Sequence, residues 1–219
     1  MVLDKPTGLP VQGGEGLKTS LDSILSGEFS PRPLLVHRLD RDTSGLILVA
    51  KTREAAAGFS ALFAGRTRND GLVKQYLGVC AGAFGEADGV IRLDLDVRGK
   101  EKEAETFYRL VKTASCGLPD GAFSCSLLEL ELGTGRMHQL RRHLALIGHP
   151  LLGDDKYGDF PLNKKLKSAF GLKNLLLHAS RLIIPPSPGL VPEGLDVSAP
   201  LPEYFAGFLD RSCLRKQKM

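Results

Sequence analysis

The sequence predicts an α+β fold, a mixed and largely antiparallel sheet with flanking helices. Three observations carry this. Four strand-like stretches, 71–81, 90–97, 105–113 and 123–132, follow one another with no helical pattern between them, separated by Gly-rich or Asp-Gly turns. Helical spacing of apolar residues is confined to the segments on either side of that run. The composition is that of an ordinary globular chain, 42% hydrophobic and 25% charged over 219 residues, enough for a sizeable core.

From the N-terminus, VLDKPTGLPV sets a short strand-like fragment against a Lys-Pro turn and an irregular loop through Gly8 and Pro10. An opening in mid-motif predicts that a strand or domain precedes this chain. Leu17, Leu21, Ile24 and Leu25 have the spacing of a short helix. The continuous apolar run 46–50 reads as a buried strand. Thr52 is placed to N-cap the next helix, with Glu54 in its first turn, and that helix ends near Gly65. After the four strands, residues 136–147 carry helical spacing at Leu140, Leu144 and Ile147. Lys164, Lys165, Lys167 and Lys173 then mark a basic, loop-rich stretch. Residues 175–184 read as a late strand and 202–209 as a closing helix, before a basic tail of Arg211, Arg215, Lys216 and Lys218. With no internal repeat, 1–219 reads as a single domain.

The formal charge of +4 permits a polyanionic partner without demanding one. Cys80, Cys116, Cys125 and Cys213 form no C-x-x-C pair, so isolated thiols in a reducing compartment are expected rather than a disulfide framework. Apolar runs such as 46–50 and 182–186 are far too short to span a bilayer, and the N-terminus has no signal-peptide pattern. These features predict a soluble cytoplasmic protein, without a membrane partner and expected to be a monomer.

Three segments hold the groups that bind anions or move protons. In HRLDRDTSGLILVA, from His37, charges of both signs stand at the mouth of a buried strand: Arg38 and Arg41 flank Asp40. In LVKQYLGVCAG, Tyr76 sits within an apolar strand. In GTGRMHQLRRHLALIGHPLLGDDKYGD, a Gly-Thr-Gly turn feeds a helix bearing Arg136, His138, Gln139, Arg141, Arg142 and His143. Leu140, Leu144 and Ile147 form its core stripe, and a helix start rich in cations suits phosphate. From the residues alone, Tyr76 reads first as a core tyrosine, Arg38 equally well as a surface ion-pair partner, and the helix less readily as a solvated basic face.

The rival chemistries lack their motifs. His138 and His143 lie five apart, on different helix faces, and there is no H-E-x-x-H or Cys/His cluster. Asp154 and Asp155 read as a turn after Gly153. No G-x-S-x-G elbow, phosphate-binding P-loop or dinucleotide fingerprint is present. No metal and no cofactor is expected. A glycoside hydrolase would want a second carboxylate beside Asp40, and none is evident.

HRLDRDTSGLILVAK resembles the signature of the RluA family of pseudouridine synthases. VLDKPTGLPVQGG is similar to that family's Lys-Pro-x-Gly motif, KQYLGVCAG to its K-x-Y-x-x-V-x-G strand, TGRMHQLRRHLALIGHPLLGDDKYG to its T-G-R-x-H-Q-[IL]-R-x-H motif, and LLLHASRLIIP to its late L-H-A strand. The five blocks occur in the family's order over nearly the whole chain. GDDKYGDFPLNKKL and the QGGEG loop look most like the RluC-type branch, which modifies large-subunit ribosomal RNA.

The resemblance implies the pseudouridine synthase catalytic fold, with an active-site cleft across the sheet. It implies an isomerase acting on RNA by base flipping, rRNA before tRNA, with no cofactor. Asp40 would be the catalytic carboxylate, Arg141 the cation that keeps it ionised, and Tyr76 the ring stacked on the base. Arg38 would fill the place of the flipped nucleotide. His37, Arg136, His138, Gln139 and Leu140 would complete the substrate-binding set, the polar ones largely by positioning backbone and loops. An RNA-binding module without catalysis would be expected to lack the carboxylate, and Asp40 is present. In one respect the chain departs from the family's rRNA branches, which often place an S4-type RNA-binding domain ahead of the catalytic one. The chain therefore reads as a catalytic core alone, or as starting downstream of the true start.

Overall fold

The computed structural model describes residues 1–14, 19–65 and 71–212. In chain order the elements are β1 (Val2–Lys5), α1 (Leu21–Glu28), β2 (Leu34–Leu35), β3 (Ser44–Ala50), α2 (Arg53–Gly65), β4 (Val73–Ala81), β5 (Asp88–Arg92), β6 (Leu95–Asp96) and β7 (Glu101–Lys102). There follow β8 (Glu105–Leu118), β9 (Gly121–Leu132), α3 (Gln139–Leu146), α4 (Phe160–Phe170), β10 (Leu177–Ile184), β11 (Leu195–Ser198) and α5 (Glu203–Arg211). The strand pairings described are antiparallel, and the α+β class expected from the sequence is the one found.

The chain groups into two compact units. The first takes the described part of Met1–Lys74 together with Ala179–Pro200. Its centre is β3, every residue of which is buried, as a continuous apolar run requires. β1 pairs with β3 from Val2↔Leu48 to Lys5↔Gly45, and β10 pairs with β11. Leu46, Leu48, Phe59, Leu62, Leu182 and Ile184 fill the core beneath α2. Thr52 Oγ1 accepts from the Ala55 amide at 3.1 Å, the expected cap of that helix. Gly45 has φ +105°, and a Cβ there would stand 2.2 Å from the Ala179 carbonyl oxygen. Only glycine permits this approach of β3 to β10, five residues after Asp40.

The second unit comprises Gln75–His178 and the chain from Leu201. Its sheet runs β4-β9-β8-β5, with Tyr76 opposite Leu130 and Tyr108 opposite the same leucine from the other side. Val79, Leu127, Leu152, Leu166, Phe205 and Phe208 lead its core. Cys80, Cys116 and Cys125 are buried free thiols, with the Cys116 and Cys125 sulfurs 3.3 Å apart; Cys213 lies outside the described residues.

Four elements differ from their expected form. Leu17 lies outside the described residues, and α1 starts at Leu21, where Ser20 and Ser23 cap each other reciprocally. The stretch 90–97 is not one strand. It divides into β5 and β6, and β6 turns back into β7 through Arg98 (φ 57°) and Gly99 (φ 77°), a two-residue hairpin turn of the type that needs positive φ at both positions. The segment expected to be a basic loop is α4. Asp159 caps it through the Leu162 amide at 2.9 Å, Pro161 occupies its first turn, and Gly171 closes it in the left-handed conformation. Finally, α3 begins at Gln139, not 136, because His138 is itself left-handed, with φ 53°.

Candidate active site

Asp40 sits on the loop leading into β3, half-buried, between buried Leu39 and the turn in which the Thr43 amide donates to the Asp40 carbonyl at 3.3 Å. The N-terminal Lys-Pro-Thr-Gly loop pins this one. Lys5, 1% exposed, donates from Nζ to the carbonyls of Pro6 at 2.8 Å, Leu9 at 2.8 Å and Arg41 at 2.9 Å. Thr7 Oγ1 donates to the Asp42 carbonyl at 2.8 Å. Burial lowers the Lys5 ammonium to about 8, and the carboxylates of Asp42 and Asp40 pull it back towards the charged form. Lys5 is therefore one of the cations around Asp40, and its role could have been read from the quoted motif. Arg41 pairs with Asp42, at 3.0 Å. Arg38 is exposed on the same loop.

His37 is a structural member of this loop. Its Nε2 accepts the Leu48 amide at 2.8 Å and its ring lies 4.7 Å from that of Phe63. Burial, helped by the nearby Lys74 ammonium, lowers it to about 4, so it is neutral and can accept.

In the second unit, Tyr76 is 7% exposed at the middle of β4. Arg141 projects from α3 and is also buried. Its Nε donates to Asp154 Oδ2 at 2.7 Å, and its Nη2 to Asp154 Oδ1 at 2.7 Å and to Asp155 Oδ1 at 3.0 Å. Burial alone would raise the Asp154 carboxyl, but Arg141 and the amides of Tyr157 and Lys156 outweigh it and hold the group below its ordinary value. The Tyr157 ring lies 5.3 Å from the guanidinium carbon. Asp154 and Tyr157 were missed in the sequence, where Asp after Gly reads as a turn.

The remaining candidates of the third segment build the turn before α3. Gln139 is 3% exposed and spends its whole amide internally: Oε1 accepts from Thr134 Oγ1 at 2.6 Å and from the Arg136 amide at 3.0 Å, while Nε2 donates to the Glu105 carbonyl at 2.8 Å and Thr106 Oγ1 at 3.1 Å. Arg136 Nε donates to the Glu103 carbonyl at 3.1 Å, and His138 Nδ1 is 3.0 Å from the Tyr157 hydroxyl. Leu140, 4% exposed, is a core residue beside Leu144. The structure thus gathers His37, Arg38 and Asp40 on one loop of the first unit. Arg136, His138, Gln139, Leu140 and Arg141 are gathered around the start of α3 in the second, the unit that also carries Tyr76. Among the described residues no group of three His, Cys, Asp or Glu could hold a metal ion.

The family model for RNA pseudouridylate synthase matches residues 1–146, which contain both segments. The chain belongs to this family. Among the relatives of this pseudouridylate synthase family member is the ribosomal large subunit pseudouridine synthase C of Haemophilus ducreyi, 37% identical over 189 residues, covering 82% of this chain and 56% of that protein. The protein of the same name from Pasteurella multocida is 34% identical over 229 residues, covering 100% and 66%. The chain therefore spans a little over half to about two thirds of the length of these curated relatives. Of solved structures, human RNA pseudouridylate synthase domain containing 4 superposes with a TM-score of 0.73 at 26% identity, over 97% of this chain and 89% of that one. Domain containing 1 gives 0.68 at 25% identity, over 94% and 82%. The RluA-family resemblance drawn from the five motifs is borne out.

Proposed function

We propose that this protein is an RNA pseudouridine synthase that isomerises uridines in large-subunit ribosomal RNA, with Asp40 as its catalytic carboxylate. The observation that carries the reading is the aspartate loop of a member of this family, held by a buried lysine, in a chain whose relatives bear the name of ribosomal large subunit synthases. Ribosomal RNA as substrate implies work in the cytoplasm.

The reaction breaks the N1–C1′ bond, turns the uracil and joins C5 to C1′; the C5 hydrogen leaves and N1 gains a proton. Atoms and charge balance without a cofactor. Asp40 supplies the anionic oxygen at the ribose or the uracil. In this reading Arg141 is the cation that keeps it ionised where water is excluded. At ~4 Å and an effective dielectric near 20, such a pair is worth up to about 4 kcal/mol before desolvation. Tyr76 offers a ring for the everted base, and exposed Arg38 fills its place in the stack, offsetting part of an extrusion cost of roughly a few kcal/mol.

Purified protein incubated with ribosomal RNA lacking pseudouridine should create carbodiimide-dependent reverse-transcription stops at uridines. Asp40→Asn should create none while still binding the RNA. Absence of stops with the wild-type protein would sink the proposal.

A further inference from the structure

We propose that Asp154 is a positioning residue for the reaction: it fixes the orientation of the Arg141 guanidinium. This rests on the functional reading above. Arg141 and Asp154 meet side-on in a two-point clamp, both at 2.7 Å, with side chains 4% and 1% exposed. The carboxylate is itself immobilised. Its Oδ1 also accepts the amides of Lys156 and Tyr157, each at 2.9 Å.

The backbone that carries Asp154 is bracketed by one side chain of α4. Asn163 Oδ1 accepts the Gly153 amide at 2.9 Å, and its Nδ2 donates to the Asp154 carbonyl at 3.0 Å. Gly153 must be glycine there: φ is +75°, and a Cβ would stand 2.1 Å from the Asn174 carbonyl oxygen. The contacts then close on themselves. Tyr157 lies under the guanidinium and its hydroxyl meets His138, the residue that opens the helix bearing Arg141.

The clamp engages both Nε and Nη2, which fixes the plane of the guanidinium. A flexible arginine would otherwise have to be ordered at each turnover, and a planar fork held by a fixed carboxylate is ordered in advance. A buried ion pair with these extra bonds is also a costly way merely to hold a helix, since apolar packing of the same volume does so as well or better.

The test measures single-turnover rate and KM on RNA carrying tritium at uridine C5, for Asp154→Asn in the wild-type and Arg141→Lys backgrounds. Asparagine can keep Oδ1 on the two amides and Nη2, while its Nδ2 opposes Nε–H donor to donor. We expect the rate to fall on the order of 10- to 100-fold, as for a misplaced catalytic partner, with KM within about threefold. In the Arg141→Lys background the same change should cost less than about threefold, because the clamp is already gone. A merely structural role would instead give equal losses in both backgrounds. Asn163→Ala, which loosens Asp154 without touching the carboxylate, should slow the rate by roughly three- to tenfold with the same dependence on Arg141; it decides the matter if Asp154→Asn does not fold. Wild-type rates in Asp154→Asn, or multiplicative losses, would overturn the clamp alone. An inactive wild-type protein would overturn the functional reading and the clamp with it.

Discussion

A histidine that burial keeps from taking up a proton carries a pH dependence of its own. His37 accepts the Leu48 amide, and burial lowers its pKa from 6.5 to about 4. The unfolded chain takes up a proton near pH 6.5 that the folded protein refuses until about pH 4. The contribution is therefore whole above pH 6.5 and is lost as pH falls towards 4, with an upper value of about 3 kcal/mol. Urea unfolding at pH 7 and pH 4.5 should show the wild-type protein losing more stability than His37→Gln, which does not titrate; parallel losses would contradict the assignment. At this scale Asp40, Tyr76 and Arg141 were legible as candidates because each stands in a motif of the family. Asp154 was not, because its partner lies 13 residues away and only the fold turns a Gly-Asp step into an anchor for Arg141. Gln139 and His37 were legible as motif members, but not as residues whose polar atoms serve the backbone.

Helix α4 shows what a pattern reading loses between elements. Its lysines give the segment the look of a charged loop, yet Asp159, Pro161 and Gly171 are start and stop signals in their proper places. Asp159→Ala removes the acceptor for the Leu162 amide and should cost about 1 kcal/mol, read as a lower urea midpoint. An unchanged midpoint would deny Asp159 its capping role. The same element carries Asn163, so the cap also bears on the loop of Asp154. By contrast β3 was plain, since five consecutive apolar residues leave a buried strand little alternative. The β6–β7 hairpin is not legible in the sequence because it reverses through an arginine in the left-handed region, a conformation that sequence pattern assigns to Gly or Asn.

For the whole molecule, alternation and turn spacing conveyed the α+β class and the antiparallel run, and the order of motifs conveyed the family. Grouping into two compact units, with strands β4 and β10 each running from one into the other, depends on long-range pairing that no local pattern encodes. The charge of +4 and the exposed lysines of α4 suit an RNA partner. Binding of ribosomal RNA fragments should weaken linearly in log salt, and Lys164→Gln with Lys167→Gln should flatten the slope by about 1 or more if that helix meets phosphates. An unchanged slope would remove α4 from the docking face.

Isomerisation must expel the hydrogen at uracil C5, so RNA labelled there with tritium reports the chemistry itself. Wild-type protein is expected to release tritium to water in step with the pseudouridine formed, and Asp40→Asn to release none while binding the same RNA. Release by Asp40→Asn at the wild-type rate would show that the carboxylate at position 40 does not carry the reaction.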